Sequence, residues 1–267
     1  MSGPLGKSIG VRIDDLKSGV KSGIRCATQM GFSAAEVAAD SQEVCPSELS
    51  ETGRSHLARL VRSGNMAFSA LSHNAGFAEL TDVTHLNRAV ESTKEAIRLA
   101  ADMRVPTLSK GLGPLSSVNE RDRDSVIAAI WDVSKYAERF GTTLAIHSRF
   151  GGTDSLIELV QQIACPGLQI AIDPGELISA GVDPLAAASA TGDQLALAYI
   201  RDAQVGTPEH AGSEVPLGQG SLDLQAYLAH LSLHAGVPAP ILRRNNTADA
   251  QIEIATDRQF LLDSMQF

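Results

Sequence analysis

Several features that characterise secreted, membrane-spanning or zinc-binding proteins are scarce in this chain. It has 3 cysteines in 267 residues. Cys26, Cys45 and Cys165 lack the close spacing of a zinc site, which indicates free thiols in a reducing compartment. No apolar run approaches the ~18 residues that a membrane-spanning helix needs, and the first residues contain no apolar signal core. These absences predict a cytoplasmic protein without a membrane partner.

Basic residues are also fewer than acidic residues. The chain has 22 Lys and Arg against 31 Asp and Glu, a formal net charge of -9. An acidic surface disfavours DNA and anionic membranes, because both bind to basic faces. The predicted partner is therefore a small molecule, with no nucleic acid and no membrane, and a homodimer is a reasonable prior expectation.

What the chain does contain is a regular alternation of short apolar runs and amphipathic segments. The runs at 142–150, 168–173 and 195–202 each end in polar or charged residues, as buried parallel strands do. Eight such strand–helix units are what a (β/α)₈ barrel of about 250 residues needs. An open doubly wound sheet is the alternative, but the first strand-to-helix turn lacks a glycine-rich phosphate loop. We predict an α/β fold with a single TIM-barrel domain over residues 1–267.

Charged and hydrogen-bonding side chains follow the predicted strands, at the end where barrel enzymes place their chemistry. Many of them are cationic, which predicts a positive barrel mouth on an otherwise acidic protein. Arginine binds carboxylates and phosphates in bidentate geometry, so the ligand expected there is an anionic sugar derivative such as a sugar acid or sugar phosphate. The candidate residues are His73, Lys110, His147, Arg149, Asp173, Glu176, Tyr199, Arg201 and Arg243.

Taken together, these segments resemble the xylose-isomerase-like barrels, which include sugar-phosphate isomerases and epimerases and the apurinic-site endonucleases. The resemblance covers nearly the whole chain, and the order and spacing of its segments carry it. These segments are Ile9-Gly-Val, Ala27-Thr-Gln-Met-Gly-Phe32, Ala35-Glu36-Val37, Leu168-Gln-Ile-Ala-Ile-Asp173, Ala180-Gly-Val-Asp-Pro184, Ala198-Tyr-Ile-Arg-Asp202 and Leu217-Gly-Gln-Gly-Ser-Leu-Asp223.

The resemblance implies a divalent-metal site, but the residues depart from it. Sugar-isomerising members usually hold one metal with Glu, Asp, His and Glu at four strand ends. Here only Asp173 keeps its ligand type. His147 stands at the first Glu position (Ile146 under a shift of one residue), Tyr199 stands at the His position, and the last Glu position falls on Arg243 or Arg244. A guanidinium stays protonated and has no lone pair for a metal, so the usual site is expected to be largely lost.

The expected cofactor is therefore none, with one divalent ion (Mn, Zn, Co or Mg) as the alternative. Such an ion would need a rearranged site built from His147, Asp173 and Glu176, the last of which follows Asp173 by three residues where the family commonly has His. Asp, His and Glu are all accepted ligands of Zn and Mn. The same three side chains are the candidates for catalysis.

The leading functional hypothesis is an isomerase or epimerase of a small sugar derivative. Without a metal, arginines would stabilise the enediolate while Asp173 or Glu176 moves the proton. The main alternative is a catalytically inactive barrel that binds a ligand or a partner protein. An apurinic-site nuclease is disfavoured, because it needs three metals and many more ligands. The predicted substrate-binding residues are His73, Lys110, Arg149, Tyr199, Arg201 and Arg243.

Several of these residues also have purely structural interpretations. His147 is equally well explained as a histidine at the rim of the core, and Tyr199 as a core filler. Arg201 and Asp202 are expected to form an ion pair that closes one end of the barrel.

Overall fold

The computed structural model describes residues 8–73, 79–148, 152–206, 211–234 and 237–265. Strands begin and end close to the predicted apolar runs. The barrel strands are β1 (Gly10–Arg12), β2 (Ala34–Ala38), β3 (Ala67–Ser72), β4 (Thr107–Leu112), β5 (Thr143–Ser148), β6 (Leu168–Ile172), β7 (Leu195–Ile200) and β10 (Ile241–Leu242). Two further strands, β8 (Asp202–Gln204) and β9 (Ser213–Val215), form a small antiparallel sheet after β7.

The eight barrel strands close into a ring in the order β1-β10-β7-β6-β5-β4-β3-β2. All neighbouring pairs within the ring are parallel. Parallel neighbours require long crossover connections, which the chain supplies as helices. The predicted TIM barrel is confirmed, and the carboxyl ends of all eight strands therefore meet at one mouth.

Helices connect the strands and cover the outside of the barrel. They are α1 (Val20–Gln29), α2 (Glu51–Ser63), α3 (Leu86–Met103), α4 (Glu120–Arg139), α5 (Thr153–Ile163), α6 (Pro174–Ser179), α7 (Pro184–Thr191), α8 (Leu224–Leu231) and α9 (Ala250–Ser264). Short 3₁₀ turns lie at Ile13–Leu16, Val83–His85, Leu115–Ser117 and Gly192–Gln194. Asp173 and Asp183 cap α6 and α7, each followed by Pro at the first helical position, where a missing N–H costs nothing. Within the described ranges, no helix is both long and apolar enough to cross a bilayer.

The core has two layers of different character. The larger layer packs strands against helices and consists mainly of Ile, Leu and Val, with alanines among them. The barrel interior is a smaller cluster that includes Ala70, Ala145 and Ala171 from three different strands. Alanines leave room along the axis, and the fully buried Tyr199 ring belongs to the same interior cluster. A buried phenol needs a hydrogen-bond partner, so this packing draws polar groups into the centre of the barrel.

Asp202 organises the segment that follows the small antiparallel sheet. Its Oδ1 accepts from the N–H groups of Ala203 and Leu222, and its Oδ2 accepts from those of Gly218 and Gly220, at 2.9–3.0 Å. An added Cβ at Gly220 would collide with the Asp202 carboxylate. The expected ion pair between Arg201 and Asp202 is therefore wrong. The Asp202 carboxylate accepts hydrogen bonds from backbone N–H groups, and Arg201 forms ion pairs with Asp173 and Glu214 instead.

Candidate functional site at the barrel mouth

Most of the predicted site residues converge where β5, β6, β7 and β10 end. They form one connected set of polar contacts, which we name the mouth cluster. It consists of Arg12, Glu36, His147, Asp173, Glu176, Tyr199, Arg201 and Arg243. Arg149, which was also predicted to bind substrate, lies outside the described residues.

His147 and Glu176 form an oriented imidazole–carboxylate pair. His147 Nδ1 donates to Glu176 Oε2 at 2.9 Å, and the imidazole is only 2% exposed. Burial by itself would raise the pKa of Glu176, but the neighbouring His147 and the nearby arginines lower it to about 2. An ionised Glu176 keeps the Nδ1 proton in place. Among the described residues, His147 Nε2 is buried without a hydrogen-bond partner, so this nitrogen is the available acid–base atom of the pair.

Asp173 is fully occupied by donors from its own helix and from two arginines. Its Oδ1 accepts from the N–H groups of Gly175 and Glu176 at the start of α6. Its Oδ2 accepts from Arg243 Nη1 at 2.8 Å, and Arg201 Nε lies 3.3 Å from Oδ1. Gly175 is required for this arrangement, because an added Cβ there would collide with the Arg201 side chain. Both carboxylate oxygens of Asp173 are therefore already engaged by donors.

Arg243 and Tyr199 connect Asp173 to the buried carboxylate of Glu36, which was not predicted from the sequence as a site residue. The Arg243 guanidinium lies 4.7 Å from the centre of the Tyr199 ring. The Tyr199 hydroxyl donates to Glu36 Oε2 at 2.7 Å and lies 2.6 Å from Ser109 Oγ. Burial raises the pKa of Glu36. Burial alone would lower the pKa of Arg243, but the neighbouring Asp173 carboxylate raises it. The signal available in the sequence was a lone Glu within the apolar run of β2, which is buried along its whole length.

A second group of ion pairs lies beside the mouth cluster. Arg244 contacts Glu214 at 3.2 Å, Glu253 at 3.1 Å and Asp257 at 3.3 Å. Arg201 also approaches Glu214, at 3.6 Å. These carboxylates neutralise the arginines that follow β7 and β10. The expectation of a positive mouth assumed unpaired arginines, and among the described residues Arg201, Arg243 and Arg244 are all paired with carboxylates.

His73 and Lys110 form a separate pair on the other face of β4. Within that strand Ser109 contacts Tyr199 inside the barrel, whereas Lys110 Nζ lies 3.3 Å from both Nδ1 and the carbonyl oxygen of His73. Burial, aided by the charge of Lys110, lowers the pKa of His73 to about 3. A neutral His73 can accept from Lys110 at Nδ1 and donate from Nε2 to Ser92 of α3, 2.9 Å away. The structure does not bring this pair into contact with the mouth cluster.

Lys110 is expected to give the protein an unusual dependence of stability on alkaline pH. Burial lowers its pKa to about 8, although Asp40 and Glu79 oppose the shift. Between about pH 8 and pH 10.4 the unfolded chain holds a proton that the folded protein has lost. The free energy of unfolding should therefore rise over this window, by at most about 3 kcal/mol. Urea unfolding at stepped pH measures the rise.

The matched variants for that experiment are Lys110→Met and Lys135→Met. Lys135 is exposed and paired with Glu138 on the same helix, so its removal should leave the rise intact, whereas K110M should remove it. The same slope in wild type and K110M would show that Lys110 is not the group responsible.

Of the thirteen buried side-chain nitrogen and oxygen atoms that lack a hydrogen-bond partner among the described residues, six lie in or beside the mouth cluster. Native interiors satisfy nearly all such atoms, so each of these is a position that a ligand or a water molecule can complete. The atoms concerned are Arg12 Nε, Glu36 Oε1, His147 Nε2, Arg201 Nε, Arg243 Nε and Arg244 Nε.

The sequence also matches a protein-family model. The model for the xylose isomerase-like TIM barrel matches residues 24–242. The chain belongs to the xylose isomerase-like TIM barrel family. No curated protein matches it in sequence.

Solved structures share this fold over nearly their whole length. A xylose isomerase domain protein from Planctomyces limnophilus is 17% identical with a TM-score of 0.81, over 96% of this chain and 95% of that one. A probable 3-DHS dehydratase involved in petrobactin synthesis in Bacillus anthracis is 12% identical with a TM-score of 0.77, over 96% and 98%. A D-psicose 3-epimerase from Clostridium cellulolyticum H10, described with D-tagatose, is 13% identical with a TM-score of 0.71, over 97% and 98%.

The metal site implied by the xylose isomerase-like resemblance does not fit the side chains that stand at its positions. His147 Nδ1 is held by Glu176, and the Asp173 oxygens are held by Arg243 and by backbone N–H groups. The Tyr199 hydroxyl is bonded to Glu36. Among the described residues, no group of three or more His, Cys, Asp or Glu side chains is arranged to hold a metal ion. A divalent ion bound by Asp173 would have to displace a guanidinium that already carries positive charge.

Proposed function

We propose that this member of the xylose isomerase-like family is an isomerase or epimerase of a small sugar derivative, and that the His147–Glu176 pair moves the proton. The observation that carries the proposal is His147 Nε2, a buried nitrogen without a partner among the described residues, on a ring that Glu176 orients from the other side. An imidazole held in this way is the usual arrangement of a general base.

In the proposed reaction His147 Nε2 removes the proton from the carbon next to the sugar carbonyl. The electrons of that C–H bond move onto the carbonyl oxygen and form an enediolate. Glu176 stabilises the resulting imidazolium, because its ionised carboxylate accepts a hydrogen bond from His147 Nδ1–H during the whole reaction. His147 then returns the proton to the former carbonyl carbon while the proton of the adjacent hydroxyl passes to the former carbonyl oxygen, which completes an isomerisation. An epimerisation needs a second proton donor on the opposite face of the carbon that lost its proton.

The arginines are the candidate hydrogen-bond donors to the enediolate oxygen, since Arg201 Nε and Arg243 Nε make no hydrogen bond among the described residues. Arg243 and Arg201 are both anchored on Asp173, and preorganised donors of this kind stabilise developing charge without reorganising. Asp173 is therefore assigned to positioning the arginines, and the proton transfer to His147. No divalent metal takes part in this scheme.

The paired arginines also bear on the choice of substrate. An acidic group on the sugar would compete with Asp173 and Glu214 for the same guanidinium groups. We therefore place sugars with a carbonyl and free hydroxyls first among candidate substrates, ahead of the sugar acids and phosphates that unpaired arginines would favour. The similarity in fold to an epimerase described with D-tagatose supports testing ketohexoses first.

The decisive experiment measures deuterium uptake from D₂O into a panel of ketoses, aldoses and their acids and phosphates by NMR, with and without EDTA. Enzyme-dependent uptake at the carbon next to the carbonyl is expected, and it should survive EDTA. His147→Gln should lower the rate by about 10² to 10⁴-fold, the usual contribution of a general base. His56→Gln is the matched control, because His56 is exposed on α2.

Two results would contradict the proposal in different ways. Uptake that EDTA abolishes, or near-stoichiometric Mn, Zn, Co or Mg in the purified protein, would restore a metal-dependent reaction. Uptake that persists in H147Q at the wild-type rate would assign the proton transfer to another group.

A catalytically inactive barrel is the second candidate function. It is favoured by the degree to which Asp173, Arg243 and Arg244 are buried and already paired with one another or with neighbouring charges. Such a protein would show no deuterium uptake with any sugar of the panel. A sugar that nevertheless raises the melting temperature would then identify it as a ligand-binding protein.

A further inference from the structure

A pair of histidines lies far from the mouth cluster, at the opposite end of the barrel. His230 is in the last turn of α8, and His234 follows four residues later in the turn that leaves the helix. The chain then runs through Val237 and Pro238, which line a cavity together with the first residues of β4 and β5. The histidine pair is therefore at the base of the barrel, where no part of the proposed reaction takes place.

The two imidazoles face each other through equivalent atoms. Their Nε2 atoms are 3.1 Å apart, and the ring centres are 4.9 Å apart with an interplanar angle of 61°. Two arrangements share this geometry. One is a single N–H···N hydrogen bond between neutral rings, and the other is a pair of lone pairs that converge on one metal ion.

The separation of the two nitrogens fits a chelated ion and discriminates between metals. Imidazole nitrogens lie about 2.1 Å from a bound transition metal. Two nitrogens 3.1 Å apart, each at that distance, subtend an angle of about 95° at the ion. This is close to the right angle of square-planar or octahedral coordination, which Cu²⁺ and Ni²⁺ adopt, and it is narrower than the tetrahedral angle that Zn²⁺ adopts in proteins.

The surroundings also suit a cation. Both rings are partly exposed, so water can complete the coordination shell. No Lys or Arg occurs in the described residues of α8 or in the turn that follows it. The carbonyl groups at the end of a helix favour positive charge, and the protein as a whole carries a formal net charge of -9. No third His, Cys, Asp or Glu joins the pair among the described residues, so the affinity should be that of a two-ligand site.

We propose that His230 and His234 chelate one borderline transition-metal ion, Ni²⁺ or Cu²⁺ in preference to Zn²⁺, and that this ion ties the end of α8 to the turn that leads into β10. The site is independent of the proposed sugar chemistry.

Isothermal titration of the full-length, EDTA-treated protein with NiCl₂ and with ZnCl₂ tests the proposal. Wild type is expected to bind one equivalent of Ni²⁺ more tightly than Zn²⁺, and excess Ni²⁺ should raise the melting temperature by a few degrees. His230→Gln and His234→Gln should each weaken Ni²⁺ binding at least tenfold and abolish the shift. His56→Gln should change neither.

The remaining outcomes would overturn the proposal. Absence of Ni²⁺ binding by the wild type would show that the pair is only hydrogen-bonded. Binding that is unchanged in both H230Q and H234Q would place the ion elsewhere in the protein. A preference for Zn²⁺ over Ni²⁺ would refute the coordination geometry inferred from the 3.1 Å separation.

Discussion

Replacing Asp173 with Ala is expected to lower the free energy of unfolding by about 3 to 5 kcal/mol, the usual cost of leaving a buried charge without its partner. Arg243 is only 5% exposed, and its Nη1 donates to Asp173. The same substitution removes the acceptor for two N–H groups at the start of α6. Urea unfolding monitored by circular dichroism measures the loss.

A double-mutant cycle separates the ion pair from the helix cap. Arg243→Met removes the buried cation with little change in volume, so D173A should cost much less in an R243M background than in the wild type. Asp173→Asn keeps an oxygen for the cap and should lie between wild type and D173A. A coupling energy near zero would mean that Asp173 and Arg243 do not stabilise each other in the folded protein.

Replacing Asp202 with Ala is expected to be the second large loss, about 3 kcal/mol or more. This carboxylate accepts four backbone N–H groups, from Ala203, Gly218, Gly220 and Leu222. Each buried donor left without an acceptor costs about 1 to 3 kcal/mol, and water will satisfy part of the set. Unfolding experiments give the total, and hydrogen exchange of the amides in 218–222 should accelerate in the variant.

Asp183 provides the matched control for Asp202. It accepts one backbone N–H, from Leu185 at the start of α7, so D183A should cost only about 1 kcal/mol, as the loss of a helix cap usually does. Equal losses in D202A and D183A would show that the four hydrogen bonds of Asp202 do not act together.

The closed barrel could be predicted because its causes are local and repeated along the chain. Each strand is an apolar run of a few residues, and each crossover carries a helical stripe, so the alternation of the two predicts parallel strands and their closure. The polar residues that follow β5, β6 and β7 could be placed at the mouth for the same reason, since a barrel has only one carboxyl-terminal face.

The electrostatics of the mouth could not be predicted in this way. The arginines were visible in the sequence as charges, but the carboxylates that neutralise them come from distant segments. Asp173 meets Arg243 across 70 positions of the chain, and Tyr199 meets Glu36 across 163. The sequence contains no local signal for such pairs, so the expected positive mouth was replaced by a network of ion pairs.

The sequence by itself determined the fold class, the order of the elements and the end of the barrel at which the polar residues gather. Only the tertiary structure decided which of them share a site. Parallel barrel strands are buried on both faces, so the alternation of side chains along β4 does not reveal whether Ser109 or Lys110 points to the axis. Packing decided this: the space left by alanines in the barrel interior admits Tyr199, its hydroxyl meets Ser109, and Lys110 and His73 are left on the opposite face.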